Sequence, residues 1–61
     1  KPEFRRFLYI ALASNSEVRS MLYLALRLNY IDRSIFNKLI MDSEEIAKII
    51  SGLIKSLIPK S

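Results

Sequence analysis

The stretch "NYID", residues 29–32, decides the fold because it interrupts two long helical patterns. Asn29 is suited to the left-handed backbone conformation that ends many helices. Asp32 is suited to the N-cap of the next helix, because its carboxylate can accept hydrogen bonds from the free backbone N–H groups there. The segment therefore predicts the end of one helix and the start of another.

Two helices of similar length extend outward from this turn. The first pattern has no internal breaker, and Pro2 suits the first turn of a helix because its missing N–H costs nothing there. We predict helices over about residues 2–28 and 33–58, with Pro59 closing the second. A short turn between helices of equal length favours an antiparallel hairpin. The 61-residue chain is thus predicted to be a single all-α helical-hairpin unit.

The second helix has one broad apolar stripe, in which residues repeat every three or four positions and Ser43 is the one polar member. A stripe this wide is typical of a helix in a bundle rather than in a two-stranded coiled coil. The stripe contains Phe36, Leu39, Ser43, Ile46, Ile50, Leu53 and Leu57, and it is widened by Ile40, Ala47, Ile54 and Ile58.

The first helix is more apolar and carries two overlapping seams. The seams share Ala11, Val18 and Ala25, whose small side chains would let a partner helix approach closely. One seam contains Phe4, Leu8, Ala11, Asn15, Val18, Leu22 and Ala25, and the other contains Phe7, Ala11, Ser14, Val18, Met21, Ala25 and Leu28.

More apolar residues are present than two helices can cover. An exposed apolar patch larger than a few hundred Å² marks an interface. We therefore predict that the hairpin is half of a four-helix bundle, completed by sequence outside this chain or by other copies, and that the chain forms a homo-oligomer. Residues expected to have no place within two helices are Tyr9, Leu12, Tyr23, Leu24 and Leu26. The predicted oligomer or bundle interface contains Phe4, Phe7, Leu8, Ala11, Ser14, Glu17, Val18, Met21, Leu22, Ala25, Phe36, Ile46, Ile50 and Leu53.

A polar belt, residues 14–17, interrupts the first helix at mid-length. Glu17 lies at the flank of the apolar face, where a carboxylate needs a partner once the bundle closes. We interpret Ser14 and Glu17 as contacts to an arginine of a partner helix or subunit, which set the register between helices. The alternative is a solvated helix face.

The composition excludes several classes of function. There is no cysteine and no histidine, so disulfides, thiolate metal sites and the commonest general base are absent. We predict no catalytic residues, no cofactor, no metal and no small-molecule substrate. The longest uncharged stretch, residues 7–16, is about half of the 20 or so apolar residues that a membrane span needs. We therefore predict no membrane partner. The absence of cysteine fits a cytoplasmic protein, which we also predict.

The formal net charge is +4, and it is concentrated in the first half of the chain. A basic surface can attract the phosphates of RNA or DNA. The alternative is that the arginines only keep an apolar helix soluble. The candidate phosphate contacts are Arg5, Arg6, Arg19, Arg27 and Arg33, and Lys1 adds to the charge of the first helix.

The three tyrosines are a second candidate feature. Aromatic rings stack on bases in many nucleic-acid-binding proteins. At helical spacing beside apolar stripes, Tyr9, Tyr23 and Tyr30 are more often interface residues, and we expect Tyr30 to pack against the turn.

Three segments carry a family resemblance. "EFRRFLYIALASNSEV", "LNYID" and "EEIAKIISGLIKSL" occur here in this order. They resemble the second half of the pattern of the 23S rRNA intervening-sequence protein family, a group of bacterial four-helix-bundle proteins. The first two helices of that pattern, with a motif near SIPSNIAEG, are absent. This chain has Leu12-Ala13 where the family has Arg-Gly, so no role of that arginine carries over.

The resemblance implies a non-enzymatic, self-associating helical protein with a basic surface. A more distant resemblance is to the accessory variability determinant of diversity-generating retroelements, which forms a five-membered ring of such bundles and works with a reverse transcriptase and nucleic acid. The functional hypothesis is a self-associating bundle that binds nucleic acid through phosphate contacts. The alternative is a purely structural protein or subunit interaction module.

Overall fold

The computed structural model describes residues 2–58 and shows two helices, α1 (Pro2–Arg27) and α2 (Arg33–Leu57). The helices pack side by side in a hairpin that measures 47 × 16 × 14 Å, and the described residues contain no strand. The predicted all-α hairpin is therefore confirmed. The charge of Lys1 and the helix end predicted at Pro59 lie outside the described residues.

The turn begins with Asn29 in the left-handed conformation, at a φ of 64°. The N–H of Tyr30 donates to the carbonyl of Ala25 at 2.9 Å, and the N–H of Asn29 donates to the carbonyl of Leu26 at 3.1 Å. These two bonds form a Schellman motif, which satisfies carbonyl groups left free at the end of α1. The role predicted for Asn29 is confirmed.

Asp32 begins α2 as its N-cap, as predicted. Its backbone is extended, and its Oδ1 accepts a hydrogen bond from the N–H of Ile35 at 2.8 Å. That N–H is one of the donors that the first helical turn cannot satisfy internally. Two local features therefore fix the direction in which the chain leaves α1 and enters α2.

The contact between the helices is a narrow seam with a heptad-like repeat. Its buried residues are few: Leu8 on α1, and Phe36, Ser43 and Ile54 on α2. The buried and half-buried seam positions are Arg5, Leu8, Leu12, Asn15, Arg19, Leu22 and Leu26 on α1, and Phe36, Ile40, Ser43, Ala47, Ile50, Ile54 and Leu57 on α2.

The contact line predicted on α1 is wrong for the hairpin itself. Ala11 and Val18 are exposed, whereas Leu12 and Leu26, expected to have no place within two helices, lie half-buried in the seam. The physical reason is that α1 is apolar on several sides, so its period does not select one seam. The seam that forms includes Arg19, whose aliphatic stem can cover apolar surface while its charged end reaches outward.

A polar pair crosses the middle of the seam. The Ser43 hydroxyl donates to Asn15 Oδ1 at 3.0 Å, and Asn15 Nδ2 donates to the backbone carbonyl of Ser43 at 2.9 Å. The Ser43 hydroxyl thus has a side-chain partner, and the Asn15 amide has one side-chain and one backbone partner, as groups removed from water require. Of the polar belt, Asn15 joins α1 to α2, while Ser14, Ser16 and Glu17 are exposed.

Candidate functional site

The seam divides the surface of the hairpin into two faces. In an antiparallel pair of right-handed helices, the same flank of each seam lies on the same side of the hairpin. Along each helix the seam residues are spaced alternately three and four apart. Residues directly before the first member of each pair spaced three apart therefore meet across the hairpin on one side. Residues directly after the second member of such a pair meet on the other side. The two sides differ sharply in chemistry.

On one side, which we call the apolar face, large hydrophobic side chains remain exposed in the hairpin. Phe7 and Met21 are 67% and 68% exposed, and Ile49 is 56% exposed. Many large apolar side chains exposed on one side are unusual on a monomer and mark an interface. The apolar face contains Phe4, Phe7, Ala11, Val18, Met21 and Ala25 of α1, Leu28 directly after α1, and Ile35, Leu39, Ile46, Ile49 and Leu53 of α2.

Most of the predicted interface residues lie in the seam or on this face, and Ser14 and Glu17 lie on neither. Within the hairpin, Leu8, Leu22, Phe36 and Ile50 lie in the seam, and Ala25 is half-buried at its edge. The others are exposed, so their contact with further helices stays a prediction. The exposed members are Phe4, Phe7, Ala11, Ser14, Glu17, Val18, Met21, Ile46 and Leu53.

The apolar face contains a groove of about 380 Å³ near the turn. Tyr30 lies at one end of this groove and is 79% exposed, so the expectation that it packs the turn is wrong. A groove of this size can accept several large side chains. It is lined by Val18, Met21, Leu22, Leu24, Ala25, Leu28 and Tyr30.

The opposite side, which we call the basic face, collects most of the cations. Glu44 is the one acid on it within residues 2–58. The remaining lysine of the described range, Lys38, lies on the outer surface of α2 and is paired with Asp42 at 3.8 Å. The basic face contains Arg5, Arg6, Arg19, Arg27, Arg33, Lys48 and Lys55.

The five predicted arginines thus share one face, but they are not equally exposed. Arg6, Arg27 and Arg33 are exposed, whereas Arg5 and Arg19 are half-buried in the seam. Sequence reasoning missed Lys48 and Lys55 as members of this face. Their seven-residue spacing on one flank of the α2 stripe was the signal that could have placed them there.

Tyr23 and Tyr9 also flank the seam on the basic side, and both are about half exposed. The ring of Tyr23 meets Phe36 edge-to-face, with centroids 5.0 Å apart and an interplanar angle of 68°. Tyr23 therefore has a partner within two helices, contrary to expectation, and its ring is held in place by an aromatic contact.

Within residues 2–58, no group of three or more acidic, cysteine or histidine side chains could hold a metal ion. Neither described helix combines the length and apolarity that crossing a membrane requires.

The family model of the 23S rRNA-intervening sequence proteins matches residues 1–52 of the 61-residue chain. No curated protein and no solved structure matches the chain significantly.

Proposed function

We propose that this chain, which belongs to the 23S rRNA-intervening sequence protein family, is a non-enzymatic subunit that associates with copies of itself through the apolar face. The observation that carries this proposal is the uncovered hydrophobic surface on one side of the hairpin. Burial of such surface is the main favourable term in helix association.

The exposed area supports association. The chain exposes 5193 Å². A compact monomer of its 7.1 kDa mass exposes only about 4,100 Å² by the general scaling of area with mass. The excess of about 1,100 Å² is comparable with the roughly 800 Å² that each partner buries in a stable protein interface.

The shape of the apolar face suits another pair of helices. Ala11 and Ala25 provide a low central line, and the larger side chains of Phe7, Met21 and Leu28 stand beside it. Ridges of large residues beside a groove of small ones are the features that let helices pack closely. Two hairpins joined in this way form a four-helix bundle.

Ala25→Glu tests the proposal, because it places an unpaired carboxylate on the proposed contact line. We expect the mass measured by sedimentation equilibrium to fall toward that of a single chain, while the helical circular dichroism of the hairpin is retained. Ala13→Glu is the matched control, since Ala13 is exposed and lies away from the apolar face. A wild-type protein that sediments as a 7.1 kDa monomer would overturn the proposal.

A second function, nucleic-acid binding, is supported by the separation of charge between the two sides. The basic face is free of acids apart from Glu44, so its cations act together on a polyanion. Contacts of this kind would be to phosphate and carry little sequence information.

Arg27→Gln and Lys38→Gln test this function as a charge-matched pair. Arg27 is exposed on the basic face, and Lys38 is exposed elsewhere and paired with Asp42. In fluorescence-anisotropy titrations of single-stranded RNA, Arg27→Gln should lower the slope of log affinity against log salt by roughly 0.7. Lys38→Gln should leave that slope unchanged. Equal effects of the two changes, or no binding by the wild type at about 50 mM salt, would contradict the proposal.

A further inference from the structure

A small polar cavity lies on the basic face at the middle of α1. Its volume is about 280 Å³, and it is lined by Ser16, Arg19, Ser20 and Tyr23. Three of these side chains carry hydroxyl groups, the fourth is a guanidinium, and no carboxylate lines the cavity. The lining therefore offers several hydrogen-bond donors and one positive charge.

Arg19 lines this cavity, and its charge has no acidic partner within the described residues. Its Nε is buried and has no hydrogen-bond partner among the described residues. The one ion pair in the described range joins Lys38 to Asp42, so no acid within that range neutralises Arg19. A buried donor left without an acceptor costs about 1–3 kcal/mol, and a charged one costs more. An oxyanion from outside the hairpin would meet the charge of Arg19 where that side chain lines the cavity, and not at the Nε, which is closed to solvent.

The surroundings of Arg19 are arranged to hold such a group in one place. The half-buried Arg19 lies in the seam, and the ring of Tyr23 contacts the ring of Phe36. Ser16 and Ser20 are one helical turn apart, so both hydroxyl groups reach the same stretch of surface. A planar guanidinium with adjacent hydroxyl donors suits an oxyanion with several acceptor oxygens.

We propose that this cavity binds a backbone phosphate of a nucleic acid, with Arg19 as its charged fork and the hydroxyl groups of Ser16, Ser20 and Tyr23 as further donors. This inference rests on the nucleic-acid function proposed above. Phosphate is favoured over a carboxylate from a partner helix because the cavity opens on the basic face, whereas helices are expected to dock on the apolar face. The cavity thereby adds a geometrically defined contact to a face that otherwise attracts phosphates by charge alone.

Arg19→Lys and Arg27→Lys separate this contact from general attraction, because both changes preserve the net charge. A lysine cannot reproduce the fork of a guanidinium. We expect Arg19→Lys to weaken binding of single-stranded RNA roughly tenfold at about 50 mM salt, and Arg27→Lys to change it less than about twofold. Both variants should keep wild-type helicity. Equal losses in the two variants would overturn the proposal.

A titration with inorganic phosphate tests the cavity independently of RNA. In ¹H–¹⁵N spectra of the full chain, the Nε–H signal of Arg19 should shift in a saturable manner, and Ser16→Ala with Ser20→Ala should weaken that response several-fold.

If RNA does not bind but this signal still saturates, the nucleic-acid function fails while the oxyanion site stands. If RNA binds but the signal does not respond, the site fails alone. If Arg19→Gln instead dissociates the oligomer, and the backbone N–H signals of Ser16 and Ser20 respond to phosphate in that variant as they do in the wild type, the acceptor is a partner's carboxylate and the proposal is wrong.

Discussion

At the scale of single residues, the Asn15–Ser43 pair is the feature that makes one alignment of the two helices better than its neighbours. Leucine and isoleucine contacts can be remade after a shift of one helical turn. The two hydrogen bonds, of 2.9 and 3.0 Å, form only when Asn15 and Ser43 lie opposite each other. A single polar pair in an apolar seam is a known means of fixing register, at some cost in stability.

A double-mutant cycle measures the contribution of this pair. Asn15→Ala leaves the buried hydroxyl of Ser43 without its partner, so we expect the free energy of unfolding to fall by about 1–3 kcal/mol. The double change Asn15→Ala with Ser43→Ala removes both groups and should cost less than the sum of the single changes, with a coupling of roughly 0.5–3 kcal/mol.

The measurement is urea unfolding followed by circular dichroism at one protein concentration, because the proposed association would make stability depend on concentration. Ser20→Ala, at an exposed position, is the control and should change stability by less than about 0.5 kcal/mol. Strict additivity of the Asn15 and Ser43 changes would show that the two side chains do not stabilise each other.

Residues whose roles are local could be predicted from the sequence, whereas the polar pair could not. The conformation of Asn29 and the cap at Asp32 depend on a few neighbouring residues, and both predictions are confirmed. Asn15 and Ser43 were recognisable as polar members of apolar stripes. Asn15 and Ser43 are 28 residues apart in sequence, and their pairing depends on the register between the two helices. No local sequence pattern specifies that register.

At the scale of the helices, the two elements differ in how far their sequences define a contact face. The period of α2 gives one stripe, and the residues of that stripe do pack on α1 or lie beside the seam. α1 has apolar residues on several sides, so its sequence fits more than one seam. The observed seam contains Arg19, and an arginine is usually expected on a solvated face.

α1 carries one more apolar seam than its contact with α2 requires. The hairpin uses the seam through Leu8, Leu12 and Leu22, and it leaves uncovered the neighbouring seam through Phe7, Val18 and Met21. A helix in a four-helix bundle contacts two neighbours and therefore needs two adjacent seams. The sequence could indicate that two seams exist, but only the structure shows which one α2 occupies.

At the scale of the whole molecule, the apolar and basic faces lie on opposite sides of the same seam. Association through the apolar face would therefore leave the basic face of every copy open to solvent. The number of phosphates that one particle neutralises should then grow with the number of copies. On the proposed functions, this geometry would couple assembly and polyanion binding even though the two use different residues.

A neutral change that prevents assembly tests this coupling. The double change Val18→Asn with Ala25→Asn places polar side chains on the apolar face and leaves the net charge at +4. We expect it to yield single hairpins whose basic face is intact. Because each released counterion contributes about 0.7 to the salt dependence for single strands, the slope of log affinity against log salt should fall with the number of phosphates contacted. RNA affinity at about 50 mM salt should fall together with that slope.

Ala13→Asn, at an exposed position away from the apolar face, should preserve both the oligomer and the slope. A dissociated variant that kept the full wild-type slope would show that one hairpin makes all the phosphate contacts and that assembly serves another purpose.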